Sequence, residues 1–433
     1  MLTITKHESN VRSYCRSWPT VFERANGHLL VDEDDREYID FFAGAGSLNY
    51  GHNHPVLKEA LLDHIASDRI VHSLDMATTA KRDFLQRFDE VILQPRNLRY
   101  KVQFPGPTGT NAVEAALKLA RKVTGRERVV GFTNAFHGMT LGSLAVTGNS
   151  MKRNGAGMML SGGTSMPYDG YMGDEQNTVD YLEAYLQDDG SGLDLPAAVI
   201  VETIQAEGGI NVASAEWLQR LEALCRQYEI VFVVDDIQVG CGRTGPFFSF
   251  EDYGLEPDIV CLSKSLSGYG LPFAVVLLKP ELDIWEPGEH NGTFRGNNPA
   301  FVTASATLDN FWSDGALTTE VHRKAAVVED ALTGIVGRFP ELEGEHRGRG
   351  MIQGVACRQG VADKIVRQAF DAGLIVETSG PAGEVVKLLP PLTIDDDALT
   401  AGLSILDGAF AAAAGHRDAT RVVVDVPATG MTS

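Results

Sequence analysis

The middle of this chain alternates short apolar runs with amphipathic stretches, and few folds accept that pattern. Residues 129–132, 198–201, 230–234, 259–262 and 273–278 consist almost entirely of Val, Ile, Leu, Phe, Ala and Cys, with no polar side chain on either face. A strand that is apolar on both faces must be covered on both, so each run reads as a fully buried strand. Between the second and third, residues 214–228 carry Trp217, Leu218, Leu221, Leu224, Cys225 and Tyr228 at helical spacing, behind Ser214 as N-cap. Strand, helix, strand in that order predicts an α/β fold built on a parallel sheet.

The character changes near Trp312. Residues 319–336 read as a long helix, followed by a glycine-rich segment (Gly344, Gly348, Gly350, Gly354, Gly360) and short strands ending near Leu389. Near the start, residues 28–31 and 37–42 form a hairpin pattern around the acidic turn 32–35. The expected organisation is an N-terminal segment, 1–60, packing with a small domain; a large domain, 61–310, with a mostly parallel sheet; and a smaller α+β domain with a tail, 311–433. Residues 411–433 are expected to be a helix end and a loose tail.

A chain of 433 residues that is 44% hydrophobic and 22% charged has the apolar material for two or three domains, and disorder is excluded. Its 58 acidic against 37 basic residues leave a formal charge of -21, a field that repels phosphate backbones and anionic lipid. Nucleic acid and membrane are therefore not expected as partners, and a small metabolite is. No run approaches the roughly 18 apolar residues of a membrane span. The polar first ten residues and the scattered cysteines (Cys15, Cys225, Cys241, Cys261, Cys357) lead to a cytoplasmic expectation.

Lys264 stands just past the run 259–262, inside a small-residue loop with Ser263, Ser265, Ser267 and Gly268. By position alone it is as readily a lysine that ends a strand and reaches to solvent. Held among buried strands, its ammonium is destabilised, which is what Schiff-base chemistry requires. Asp235 and Asp236 end the run 230–234. If the two strands are neighbours, a carboxylate and the amine share the carboxyl edge of the sheet, where open α/β folds bind ligands. A buried carboxylate there would be relieved by a cationic ring nitrogen, such as the pyridinium of pyridoxal phosphate. Thr108, Gly109 and Thr110 open a helical stretch with Val113, Leu117 and Ala120 on one face. Free amides, hydroxyls and the positive helix end make an anion cup suited to a phosphate, although an ordinary capped terminus has the same sequence.

Two motifs point elsewhere and are set aside. Gly240-Cys241-Gly242-Arg243-Thr244-Gly245 matches a dinucleotide fingerprint, but Pro246 and three phenylalanines follow where a long helix is required. His52 and His54 hint at a metal, yet no acidic or cysteine ligands stand at zinc spacing, so a structural loop is expected and no metal.

Together with Gly51-His52-Asn53-His54-Pro55, Phe136-His137-Gly138-Met139-Thr140, the segment 202–209 and Thr293-Phe294-Arg295-Gly296-Asn297, these residues resemble the class III (ω-amino acid) aminotransferases, pyridoxal phosphate enzymes of fold type I. The resemblance covers nearly the whole chain. It implies that Lys264 is the Schiff-base lysine and proton shuttle, that Asp235 binds the pyridinium nitrogen, and that Gln238 lies near the ring hydroxyl. Thr108, Gly109 and Thr110 would hold the phosphate, with Thr293 contributing from the neighbouring subunit of a homodimer or higher homo-oligomer. Phe136 would stack on the ring. Glu207 resembles an acid that pairs with an arginine and releases it when 2-oxoglutarate binds.

Within the family, segments 8–16, 43–50, 235–238 and 263–270 are similar to the branch that makes 2,4-diaminobutyrate for ectoine biosynthesis. That likeness implies glutamate and aspartate 4-semialdehyde as substrates, bound in turn in one site. Ornithine, acetylornithine or 4-aminobutyrate as donor, or a siderophore pathway, are the alternatives. Met139 stands where relatives carry a carboxylate-binding arginine, and Lys387 where they carry the arginine that pairs with the Glu207 position; a lysine keeps the charge but not the planar fork. Asp236 replaces a usual glutamate. Arg295 fills a position that is often glycine, and either supplies a substrate carboxylate contact or forms a surface salt bridge.

Overall fold

The computed structural model describes residues 2–173 and 175–416. Its centre is a seven-stranded sheet, in the order Lys101–Gln103, Val275–Leu278, Ile259–Leu262, Val231–Asp235, Ala198–Val201, Val129–Phe132 and Gly163–Met166. Alternate residues of the apolar runs join two different cores. Val129, Ala198, Ile200, Val231, Val233, Ile259 and Cys261 pack on the helix Gly109–Thr124 through Ala112, Val113, Ala116, Leu117 and Ala120. Val130, Phe132, Val199, Val201, Phe232, Val234, Val260 and Leu262 belong to the opposite core, with Trp217, Leu218, Leu221 and Leu224. These four lie on the helix Ala215–Gln227, whose N-cap Ser214 accepts from the Trp217 amide. The lack of polar alternation in the sequence is thus the mark of a sheet covered on both sides.

The five strands from Ile259–Leu262 to Gly163–Met166 are parallel. Val275–Leu278, expected with the parallel set, runs antiparallel to Ile259–Leu262. Between the two there is only the 3-10 turn Lys264–Ser267 and loop, with no crossover helix to bring the chain back to the same end. The outer strands Lys101–Gln103 and Gly163–Met166 escaped the reading because they are short, polar and incompletely buried.

The N-terminal strands Phe22–Asn26, Leu29–Asp32 and Glu37–Asp40 form an antiparallel meander. Its fourth strand comes from the far end of the chain: Leu374–Ile375 lies parallel to Glu37–Asp40, with Leu374 beside Ile39. A separate antiparallel sheet has the order Glu345–Arg349, Ile352–Ala356, Val385–Leu388, Glu377–Ser379. The long helix expected at 319–336 spans Ala316–Arg338. The last helix, Asp396–Ala413, is capped by Asp395, whose side chain accepts from the Ala398 amide. The loose tail expected after it, 417–433, lies outside the described residues.

The two motifs set aside have structural occupations. Arg243 is wholly buried in a turn, donating to the carbonyls of Met351 (3.1 Å) and Pro390 (2.6 Å) and to Asn49 Oδ1 (2.5 Å). His52 Nε2 lies 2.7 Å from Asp40 Oδ2.

Candidate active site

Parallel pairing brings the chemistry together. Asp235 lies opposite Cys261 in the register, so Lys264, three residues further on the neighbouring strand, meets Asp235 at the carboxyl edge of the sheet. Lys264 has a φ of +49°. This left-handed conformation, rare for a side chain with a Cβ, takes the chain sharply out of the strand. Lys264 and Asp235 line a cavity of about 180 Å³ together with Gly109, Thr110, Phe136 and Gln238. Burial, with Lys387 nearby, pulls the Lys264 ammonium down to about 8 against the opposing charge of Glu207.

Asp235 is fixed from two sides. Its Oδ2 lies 2.7 Å from His137 Nδ1, and its Oδ1 accepts from the Ile237 amide at 3.2 Å. His137 is completely buried; burial disfavours its charge, but the hydrogen bond to Asp235 and the charges of Asp235 and Glu202 prevail and raise its pKa. Glu202, at the end of Ala198–Val201, accepts from the Phe136 amide at 3.1 Å, and burial pushes its carboxyl up to about 8.

The anion cup is built as a helix start. Thr108 donates through its amide (3.3 Å) and Oγ1 (2.8 Å) to Asn111 Oδ1. Among the described residues no group accepts from the amides of Gly109 and Thr110, which leaves two donors at the positive end of Gly109–Thr124. Gly138 closes the cup with a φ of +130°, and a Cβ there would overlap Thr110 Oγ1.

On the other side of Lys264, Glu207 Oε1 lies 2.7 Å from Lys387 Nζ and accepts from Gln238 Nε2 at 3.3 Å. Lys387 is wholly buried and has a second carboxylate partner, Glu377, at 3.0 Å. Although Glu207 is largely desolvated, Lys387 above all holds its carboxyl down at about 2, whereas burial pushes Glu377 up to about 7 despite Lys387.

Thr293 and Arg295 are not brought into this cavity of their own chain. The Thr293 carbonyl lies 2.6 Å from His72 Nε2, and Arg295 donates to Asn291 Oδ1 at 3.0 Å rather than to a carboxylate. Met139 is exposed. Sequence reading missed the parts played by His137, Glu202 and Glu377. The first two lay in quoted motifs as acids and bases beside the run ends, which was the available signal; Glu377 gave none.

The cavity fits pyridoxal phosphate. Two unclaimed amides face the place of an oxyanion, a fixed carboxylate faces the place of a ring cation, and Gln238 Oε1 is buried without a partner among the described residues, ready to accept from a ring hydroxyl.

Comparison with known proteins agrees with this geometry. The family described as Aminotransferase class-III matches residues 12–410. The chain is similar to the diaminobutyrate–2-oxoglutarate transaminases of Nocardia farcinica, 62% identical over 93% of this chain and 92% of that protein, and of Sporosarcina pasteurii, 60% identical over 94% and 96%. Among solved structures it is similar to the ornithine aminotransferase of Toxoplasma gondii, with a TM-score of 0.83 at 26% identity over 96% of this chain and 95% of that one. A transaminase from the marine bacterium Virgibacillus shares the fold, with a TM-score of 0.84 at 19% identity over 96% and 98%. The chain belongs to the class III aminotransferase family, whose cofactor is pyridoxal 5′-phosphate.

Proposed function

We propose that this protein moves an amino group from L-glutamate to the aldehyde of L-aspartate 4-semialdehyde, giving L-2,4-diaminobutyrate and 2-oxoglutarate. The observation that carries the reading is the high identity to diaminobutyrate–2-oxoglutarate transaminases over nearly the whole chain. The absence of an arginine at Met139 and at Lys387 supports it against an ornithine or 4-aminobutyrate donor.

Pyridoxal phosphate, when bound, supplies an electron sink for the carbon that loses its proton. The remaining work belongs to the chain. Lys264 Nζ, its pKa lowered into the range where it exchanges protons near neutrality, takes the proton from the substrate carbon and returns it on the other side of the transfer. Asp235, immobilised by His137 and the Ile237 amide, would pair with a protonated ring nitrogen. The amides of Gly109 and Thr110, beside Thr108, would hold the phosphate oxygens. Phe136 would cover the ring and Gln238 would accept from its hydroxyl, while Glu207, held by Lys387 behind it, lines the cavity on the side left for the substrate.

Thr293, outside the cavity of its own chain, would complete the phosphate site of a second copy in a homodimer or higher homo-oligomer. The three-part division at 60 and 310 stands with this reading, supported by separate sheets for the central and C-terminal strands. The protein acts in the cytoplasm, in ectoine biosynthesis under osmotic stress. Among the described residues no helix is long and apolar enough to cross a membrane.

Steady-state rates with a panel of ω-amino acids and 2-oxoglutarate test the reading. Diaminobutyrate is expected to be the best donor; a clear preference for ornithine overturns it.

A further inference from the structure

Amino-acid substrates bring a carboxylate into a cavity whose cations are nearly all engaged. Lys264 is committed to proton transfer. Lys387 is buried between Glu207 at 2.7 Å and Glu377 at 3.0 Å, two acids on one ammonium. Met139 is apolar and turned to solvent.

One more cation stands against a residue of the cavity wall. Lys152 belongs to the short helix Ser150–Asn154, whose cap Asn149 accepts from the Lys152 amide at 3.0 Å. Its Nζ lies 4.0 Å from the centre of the Phe136 ring, the ring that lines the cavity. Among the described residues no carboxylate is within ion-pair distance of that ammonium. Its charge nevertheless reaches Glu207, and it contributes to holding that carboxyl low. An aromatic face is a weaker partner for an ammonium than a carboxylate, and a four-carbon stem lets Nζ move from one to the other without moving the helix.

We propose that Lys152 receives the carboxylate of the amino-acid substrate, and so makes the site select amino acids over simple amines. The inference rests on the function proposed above and deepens it. Phe136 holds the ammonium beside the cavity until a carboxylate arrives, and Lys387 stays locked in its acid pair.

The test uses the holoenzyme and two variants, Lys152→Met and Lys152→Arg. Glutarate, a dicarboxylate with no amine to transfer, is titrated against the cofactor absorbance. The kcat/KM is then measured for 2,4-diaminobutyrate and for 1,3-diaminopropane, the same diamine without its carboxylate. K152M is expected to weaken glutarate about tenfold, and to lower the preference for diaminobutyrate over diaminopropane about tenfold, with K152R restoring most of both. An unchanged glutarate affinity and preference in K152M overturn the inference, as does an equal loss for both diamines. If the wild type transfers nothing to or from diaminobutyrate, the proposed function fails, while the glutarate titration still decides the part of Lys152.

Discussion

His137 Nδ1 and Asp235 Oδ2 lie 2.7 Å apart at the floor of the cavity, and almost no solvent reaches either side chain. A carboxylate held this way cannot rotate to follow a ligand; the ligand must meet it. The third member, Glu202, is acidic too, so replacing Asp235 removes the charge from its ordered place without removing every acid from the floor.

Asp235→Asn keeps the shape and the Ile237 contact but loses the charge. Turnover is expected to fall roughly 10²- to 10³-fold, the cost of removing one preorganised electrostatic contact. Single-turnover rates with glutamate check this, and a loss under about tenfold would remove Asp235 from its assigned place.

Gly138→Ala should damage the anion cup. The residue sits at a φ of +130°, and its new Cβ would press on Thr110 Oγ1. Backbone strain there is of order 1–3 kcal/mol, and part of it is relieved by opening the cup. Weaker cofactor retention than wild type on equilibrium dialysis is the expected result; equal retention counts against a phosphate at this turn.

Asp236 predicts a pH dependence of stability. Burial, above all, pushes its carboxyl from 3.8 up to about 7 in the folded protein. The unfolded chain gives up this proton near the ordinary value, so between roughly pH 4 and 7 the folded state binds more protons and loses stability as pH rises. Asp236→Asn should lack this decline. Denaturant unfolding at pH 5 and pH 8 should show the wild type losing up to roughly 3 kcal/mol more than the variant across the interval; identical losses would show that Asp236 does not titrate there.

The readable part of this molecule was the part whose cause is local. Val231–Asp235 and Ile259–Leu262 announced themselves because both faces of each strand are buried; Asp235 and Lys264, whose positions at the run ends suit solvent-reaching side chains equally well, stood out only together with the other motifs of one family. Lys101–Gln103 carried no such signal at the edge of the sheet. Partners that depend on register were invisible: Glu377 reaches Lys387 because the two sit opposite each other in the pairing of Glu377–Ser379 with Val385–Leu388. The part of His137 required knowing how the loop after Val129–Phe132 folds back over Asp235.

The pairing of Leu374–Ile375 with Glu37–Asp40 has a consequence for the birth of the protein. A ribosome delivers the N-terminal meander about 330 residues before its fourth strand. At synthesis rates of about 5–20 residues per second, the edge of Glu37–Asp40 waits roughly 20 to 70 s for its neighbour. During that interval an unpaired strand edge is open to any other nascent chain, so yield in a cell depends on shielding the first forty residues as much as on the stability of the finished enzyme.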